Sequence, residues 1–319
     1  MSQQIRLEYP GSLWHIAVHG SEHREIFRDD ADRLCFLNLL GVSVRRAEWM
    51  LCAYVLLPCE FRLLLKLTAK TLSSGMQWLS STYAQRFNRR RNRVGHLVHG
   101  RFDGCLIDEK TYFLEVMRHI VLSPVRAGIV AKPDEYPWSS HLAVLGDASP
   151  PRWLAIDDLL GRFGNTPEIA RRRYRAFIDT DDDRNPWDDL VGDIYLGSER
   201  WLRKVRKRLG EKPRTDERSR LQRTLCTSTM PDVIAAVADS WSIDEGRIRD
   251  GRGGVPRMVV AWIASNETLV RNRQIAADLR LRSAGRVTSL IRQCDRALDR
   301  NVRLRTFVER SVATLRRKM

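Results

Sequence analysis

The sequence predicts an α+β domain, in which an antiparallel sheet is flanked by helices, followed by an all-α domain with a helix-turn-helix. Apolar runs of strand length alternate with amphipathic helical segments as far as about residue 146. Two of these runs, Met50–Leu57 and Phe61–Leu67, are separated by a short segment at Pro58, which predicts paired strands. From Leu221 onward the periodic segments have helical spacing.

The first domain is predicted to follow the order β-α-β-β-α-β-α, with the paired strands near the centre of the sheet. The remaining segments are strands at Leu13–Val18 and His99–Ile107 and helices at Asp29–Glu48, Ser73–Arg91 and Asp108–Leu122. Asp108 suits the N-cap of the third helix, because its carboxylate can accept a backbone N–H. The predicted inward face of the first helix is Leu34, Phe36, Leu37, Leu40 and Val44, and that of the second is Met76, Leu79, Tyr83 and Phe87.

Composition places the boundaries along the 319-residue chain, which is long enough for two domains. Residues 1–146 are predicted to form the sheet domain and 147–210 a charged helical extension. Residues 211–220 are polar and lack apolar periodicity, so they are predicted to be a linker to the all-α domain at 221–319.

The last domain contains a short helical segment, Arg273–Leu279, a predicted turn at Arg280–Ser283 and a long helix to about Leu298. This arrangement is typical of a helix-turn-helix, and an ordinary α-hairpin is the alternative. The charge of the chain favours the DNA-reading form. The candidate groove-reading side chains on the long helix are Arg286, Thr288, Ser289 and Arg292.

The charge predicts a polyanionic partner. The chain has 55 lysine and arginine residues and 39 aspartate and glutamate residues, which gives a net charge of +16. The six cysteines form no C-x-x-C motif, which fits a reducing compartment. The N-terminus lacks an apolar signal core, and the longest apolar stretch is too short to span a bilayer. We therefore expect a cytoplasmic, nucleoid-associated protein that does not enter membranes.

Glu60 and Arg62 are two residues apart in an extended apolar run, so a strand would place both on one face. Glu60 could ligate a hard cation through oxygen. Arg62 stays charged and has no lone pair to donate to a metal. The two side chains are expected to pair with each other.

A series of short motifs recurs in the order found in one protein family. They are Tyr9-Pro10-Gly11, Ile26-Phe27-Arg28-Asp29-Asp30, Ala53-Tyr54-Val55-Leu56-Leu57-Pro58, Gly95-His96-Leu97, Gly100-Arg101-Phe102, Pro124-Val125-Arg126-Ala127-Gly128, Tyr136-Pro137-Trp138-Ser139-Ser140 and Tyr195-Leu196-Gly197-Ser198. Residues 1–210 thus resemble the REP-associated tyrosine transposases, relatives of the single-tyrosine HUH transposases of bacterial insertion sequences. The C-terminal part is similar to the DNA-binding domain of the replication initiator DnaA.

The resemblance implies a sheet like that of RNA-recognition modules and DNA transposition by transesterification on single-stranded DNA, usually at hairpin ends. It also implies two strand histidines that hold Mg²⁺ or Mn²⁺ and a helix tyrosine that attacks the phosphate. Here Glu60 and Arg62 stand at the two histidine positions, and His119 stands at the tyrosine position. The catalytic set is therefore degenerate at all three positions.

These substitutions favour a DNA-binding protein that does not cut, with no metal and no cofactor. It would bind hairpin or single-stranded DNA through the sheet domain and duplex DNA through the last domain, as a regulator or architectural factor. The candidate phosphate-binding arginines of the sheet domain are Arg62, Arg89, Arg90, Arg91, Arg93, Arg101 and Arg126.

Two alternatives stay open at this point. An active, divergent transposase could use Mg²⁺ or Mn²⁺ on Glu60 together with His96 or His99. An RNA-binding protein is the other alternative, because the implied sheet is shared with RNA-recognition modules. A homodimer is compatible with all of these readings.

Overall fold

The computed structural model describes residues 7–69, 71–98, 100, 102–180, 184–192, 194–210, 228–250, 254–268 and 270–317. The chain divides into two compact units, Glu8–Arg184 and Asn185–Met319 together with Met1–Leu7. The predicted linker at 211–220 lies outside the described residues, as do His99 and Arg101. The four-part division stays a prediction.

Four strands build the sheet of the first unit: β1 (Leu13–His19), β2 (Trp49–Leu57), β3 (Glu60–Leu67) and β4 (Asp103–Ile107). They lie in the order β2-β3-β1-β4, and neighbouring strands pair antiparallel. The predicted strand pair is present, and the α+β class is confirmed for this unit.

The prediction that both paired strands lie near the sheet centre is correct for β3 and wrong for β2, which is at one end of the strand order. β2 is nevertheless buried along almost its whole length. A later segment covers its outer edge: Leu56 N donates to Trp138 O at 2.9 Å, and Ala155 N donates to Leu51 O at 2.8 Å. These bonds replace the partner strand that an exposed edge would lack.

Seven helices of the first unit are α1 (Asp30–Arg46), α2 (Leu72–Arg90), α3 (Glu109–Val121), α4 (Ser123–Arg126), α5 (His141–Leu145), α6 (Ile156–Leu160) and α7 (Pro167–Asp179). The predicted inward residues of α2 are all buried. On α1 the prediction fails at Leu34, which is 54% exposed, while Asp32 is 2% exposed. Asp32 takes the inner position because Arg90 and Arg91 pair with its carboxylate.

The alternation of β3 separates an apolar face from a polar one. Phe61 packs against Phe36 of α1, with ring centroids 4.5 Å apart, and Phe36 contacts Tyr83 of α2. Arg62 and Lys66 point to the opposite face, where they contact His119 and Glu109 of α3. The sheet thus lies between α1 and α2 on one side and α3 on the other.

Asp108 occupies the N-cap of α3 as predicted, but its side chain makes no capping bond to the helix backbone. Its carboxylate instead accepts a hydrogen bond from the Thr111 hydroxyl at 3.1 Å. The predicted capping role is therefore wrong, although the helix starts at the predicted place.

The second unit contains the two-residue strand β5 (Tyr195–Leu196) and a set of helices. They are α8 (Glu199–Gly210), α9 (Met230–Trp241), α10 (Glu245–Arg249), α11 (Gly254–Glu267), α12 (Asn272–Asp278), α13 (Ala284–Arg300) and α14 (Val302–Arg317). The short helix, turn and long helix that the sequence predicted correspond to α12 and α13. On α13, Val287, Ile291 and Cys294 enter the helical core. None of the helices in the described residues has both the length and the hydropathy needed to cross a bilayer.

Candidate functional site

The polar face of the sheet brings together residues from three strands. In the β1–β3 register His19 lies opposite Glu60 and Ala17 opposite Arg62. In the β1–β4 register Ala17 also lies opposite Asp103. Directly opposed residues on antiparallel strands share a face, so these side chains form one polar group beneath α3.

Glu60 holds two side chains at once. Its Oε1 accepts from Arg62 Nε at 2.9 Å and lies 2.7 Å from Arg62 Nη2, as the sequence predicted for this pair. Its Oε2 lies 2.7 Å from His19 Nδ1. Burial opposes ionisation of Glu60, but the His19 hydrogen bond and the Arg62 charge outweigh it, and the pKa of Glu60 is lowered. Glu60 is therefore a carboxylate at neutral pH.

Arg62 extends from the strand to α3. Its Nη1 lies 3.1 Å from His119 Nε2 and 3.4 Å from Ser123 Oγ. Ser123 Oγ also donates to the His119 carbonyl at 2.9 Å, which ties the start of α4 to the end of α3. The guanidinium is thus fixed from both ends by Glu60 and by the α3–α4 corner, and its side chain is 23% exposed.

His119 lies between two guanidinium groups. Arg62 Nη1 is close to its Nε2, and Arg126 Nη1 is 2.9 Å from its Nδ1. Burial, together with the charges of Arg126 and Arg62, lowers the pKa of His119 to about 3. The ring is therefore neutral at pH 7. A neutral imidazole has one acceptor nitrogen, so it can accept a hydrogen bond from one of these arginines at a time.

His15 lies on the same face of β1 as His19 and is almost completely buried. Burial, followed by the charge of Arg62, holds the pKa of His15 well below its usual range. The polar face therefore contains two histidines, His15 and His119, that resist protonation. The spacing of His15 and His19 on one strand is the sequence signal that could have indicated this grouping.

Several residues of this group were not predicted as site residues. His19 binds Glu60, Asp103 Oδ2 lies 3.8 Å from His19 Nε2, and Ser123 contacts Arg62. A strand pattern shows which residues share a face of one strand, but it does not give the register between strands. The pairing of His19 with Glu60 therefore required the structure.

The basic run at the end of α2 has acidic partners. Arg90 Nη2 and Arg91 Nη2 lie 2.9 and 2.5 Å from Asp29 Oδ2, and both arginines also pair with Asp32. Arg93 donates to the carbonyl of His96 at 3.3 Å. Arg89 is exposed, and Arg101 lies outside the described residues. A phosphate bound by Arg90 or Arg91 would have to compete with these carboxylates.

The predicted groove-reading side chains lie on the outer side of α13. Arg286, Ser289 and Arg292 are exposed, and Thr288 is half-buried. Ser289 Oγ donates to the Gly285 carbonyl at 3.3 Å within the helix. The two arginines lie on the side of the helix away from its buried residues.

Comparison with solved structures finds two matching chains. No family model matches the chain, and no curated protein matches it. One of the two matching chains is a REP-associated tyrosine transposase bound to a REP hairpin. It shares 17% identity with a TM-score of 0.40, over 47% of the present chain and 89% of the neighbour. A similarity at this level transfers neither activity nor ligand to the present chain.

The Mg²⁺ or Mn²⁺ ion that the resemblance implies does not fit the side chains around Glu60. Both carboxylate oxygens already bind other groups, one Arg62 and the other His19. The Arg62 guanidinium adds a fixed positive charge, which repels a cation at this place. In the described part of the chain, no group of three or more His, Cys, Asp or Glu side chains is arranged to hold a metal ion. Among the alternative ligands, His96 is exposed and His99 is outside the described residues.

Proposed function

We propose that this protein binds hairpin or single-stranded DNA on the polar face of its sheet and duplex DNA through α13, without cutting either. The observation that carries this proposal is the Arg62 guanidinium, which Glu60 fixes between β3 and His119. The net charge of +16 and the family resemblance of the motifs support a nucleic acid as the partner.

Arg62 is suited to hold a phosphate. A guanidinium presents five N–H groups in a planar fork that matches two oxygens of a phosphate. Here Glu60 contacts Nε and Nη2, and His119 and Ser123 contact Nη1, so a phosphate would share Nη2 with Glu60 or replace Ser123 at Nη1. Arg126, which lies three residues after Ser123 and is exposed, adds a second cation next to His119. DNA would then be held by fixed charges where the resemblance implies a metal ion.

His119 is poorly suited to replace the attacking tyrosine. A nucleophile needs a lone pair directed at the phosphorus, and both ring nitrogens of His119 are next to arginine N–H groups. Its lowered pKa makes the ring neutral but does not free that lone pair. These contacts favour binding without strand transfer over an active, divergent transposase.

The proposed duplex site is the outer side of α13. Arg286, Ser289 and Arg292 are exposed on a helix that follows the short helix α12 and a turn, an arrangement suited to the major groove. We also propose that this unit is a DnaA-like DNA-binding domain and that the protein associates with the nucleoid and forms a homodimer. Analytical ultracentrifugation tests the homodimer.

The test of the sheet site uses fluorescence anisotropy with a labelled DNA hairpin and an RNA hairpin of the same sequence at matched salt. We expect tighter binding of the DNA hairpin, and a loss of about tenfold or more for Arg62→Gln, since charge-assisted contacts contribute about 1.5–3 kcal/mol. Arg172→Gln, an exposed arginine of α7, is the control. Preferential binding of the RNA hairpin would favour an RNA-binding protein instead.

Strand transfer is tested separately. The hairpin is incubated with Mn²⁺, and covalent protein–DNA adducts are sought by denaturing electrophoresis. We expect none. Adducts that disappear in His119→Ala would contradict the proposal and favour an active transposase, and calorimetric binding of Mn²⁺ that is lost in Glu60→Ala would do the same.

A further inference from the structure

Five basic side chains of helix α8 lie on one side of the helix. Leu202 and Val205 are buried, whereas the basic side chains at the remaining described positions are exposed. These exposed cations, called here the α8 stripe, are Arg200, Arg203, Lys204, Lys207 and Arg208. At about 100° per residue they fall within an arc of roughly 140°. The spacing i, i+3, i+4, i+7 and i+8 makes them neighbours on one helix face.

Local contacts with residues 197 and 198 fix the conformation at the start of α8. The backbone N–H of Leu202 donates to the Ser198 carbonyl at 2.9 Å, and that of Trp201 donates to Ser198 Oγ at 3.4 Å. The indole of Trp201 lies directly over Gly197, where a Cβ would be 2.2 Å from the ring. Glycine is needed here because any side chain would displace this indole.

Like charges at these spacings repel one another along the helix. Elsewhere the chain offsets such repulsion with carboxylates, as Asp29 and Asp32 do for Arg90 and Arg91. Within the described residues, Arg200, Arg203 and Lys204 have no carboxylate partner of this kind. The stripe therefore presents concentrated positive charge that an anionic surface can neutralise.

We propose that the α8 stripe binds the phosphate backbone of DNA independently of base sequence. From Arg200 to Arg208 the helix advances about 12 Å. One strand of duplex DNA presents a phosphate about every 3.4 Å along its axis, so the stripe can follow about three phosphates. This surface is additional to Arg62 and to α13, and it would supply sequence-independent affinity to which those sites add selectivity.

The experiment measures the affinity of the full chain for an arbitrary 20-base-pair duplex at several NaCl concentrations, for wild type and for the double variant Arg203→Gln/Lys207→Gln. Each lost phosphate contact reduces the slope of log K against log salt by about 0.9, so we expect a reduction of about 1.8. Glutamine is a good helix former, and circular dichroism checks that α8 persists. The control is Lys132→Gln/Arg172→Gln, which removes two exposed charges from the first unit.

A reduced slope in the α8 variant and an unchanged slope in the control would support the proposal. An unchanged slope in the α8 variant, equal reductions in both variants, or no duplex binding by wild type at 50 mM salt would overturn it. So would an α8 variant that loses binding to phosphatidylserine vesicles but keeps its DNA slope, because the partner would then be a membrane surface. Failure of the hairpin site is detected independently, by Arg62→Gln with the stripe intact.

Discussion

Glu60 and Arg62 are two residues apart on β3 and form an ion pair along one face of the strand, with Arg62 Nη2 2.7 Å from Glu60 Oε1. The other oxygen of Glu60 binds His19 of the neighbouring strand. One carboxylate therefore positions a cation from its own strand and an imidazole from the next. Its side chain is only 14% exposed, so the geometry of the polar face depends on it.

Glu60→Gln tests this dependence. Glutamine keeps the shape but removes the charge that Arg62 and His19 share, so we expect a loss of about 1.5–3 kcal/mol in the free energy of unfolding, measured by urea denaturation. Glu22→Gln is the control, because Glu22 pairs with Arg24 at the surface, where such pairs contribute about 0–1 kcal/mol. Equal effects of the two substitutions would contradict the structural role of Glu60.

His119 predicts a pH dependence of stability. Its pKa of about 3 in the folded protein is below the value near 6.5 of an unfolded chain. As the pH falls below 6.5, His119 becomes protonated in the unfolded chain but stays neutral in the folded protein. The free energy of unfolding therefore decreases. The limiting slope is about 1.4 kcal/mol per pH unit for one proton.

We expect His119→Gln to make this decline shallower between pH 6.5 and 5, measured by urea denaturation at several pH values. Part of the slope will persist, because the pKa of His15 is lowered as well. Glu60 does not contribute between pH 6.5 and 5. Its pKa is lowered in the folded protein, so the stability that its carboxylate supplies is lost only at more acidic pH. His96→Gln, at an exposed position, should leave the slope as in wild type.

The sequence predicted those features that depend on spacing within one element. Helical spacing identified four of the five buried residues of α2, and strand alternation placed Glu60 and Arg62 on one face. Features that depend on contacts between elements were missed. Leu34 is exposed, whereas Asp32 is buried and paired with arginines at the end of α2, which no local pattern of α1 reveals.

The same distinction explains what was missed at the candidate site. His119 was identified by its place in a motif, but its position between Arg62 and Arg126 depends on how α3 packs on β3. The acidic partners of Arg90 and Arg91 were also missed, because a run of arginines, predicted here to bind phosphate, does not reveal which carboxylates the fold brings next to it. The charge environment of His119, Arg90 and Arg91 therefore depends on contacts between residues that are far apart in the sequence.

Gly197→Ala tests how α8 is held. The added Cβ would be 2.2 Å from the Trp201 ring, so the indole must move, and overpacking of this kind costs about 1–3 kcal/mol. We expect a lower unfolding midpoint in urea and a weaker near-ultraviolet tryptophan signal. Gly285→Ala in α13 is the control, because the nearest atom to its Cβ is 3.8 Å away. That substitution should be neutral or stabilise the protein by up to about 1 kcal/mol.

The groove-reading role of α13 is tested by Arg286→Ala and Arg292→Ala. A duplex selected from a random library by the wild-type protein provides the ligand, since base-reading arginines contribute about 1–3 kcal/mol each. We expect each substitution to weaken binding of this duplex about 10- to 100-fold in anisotropy titrations, while hairpin binding by the sheet unit stays unchanged. Arg300→Ala, at the far end of the same helix, is the control and should have little effect. Unchanged duplex binding in both test variants would make α12 and α13 an ordinary α-hairpin.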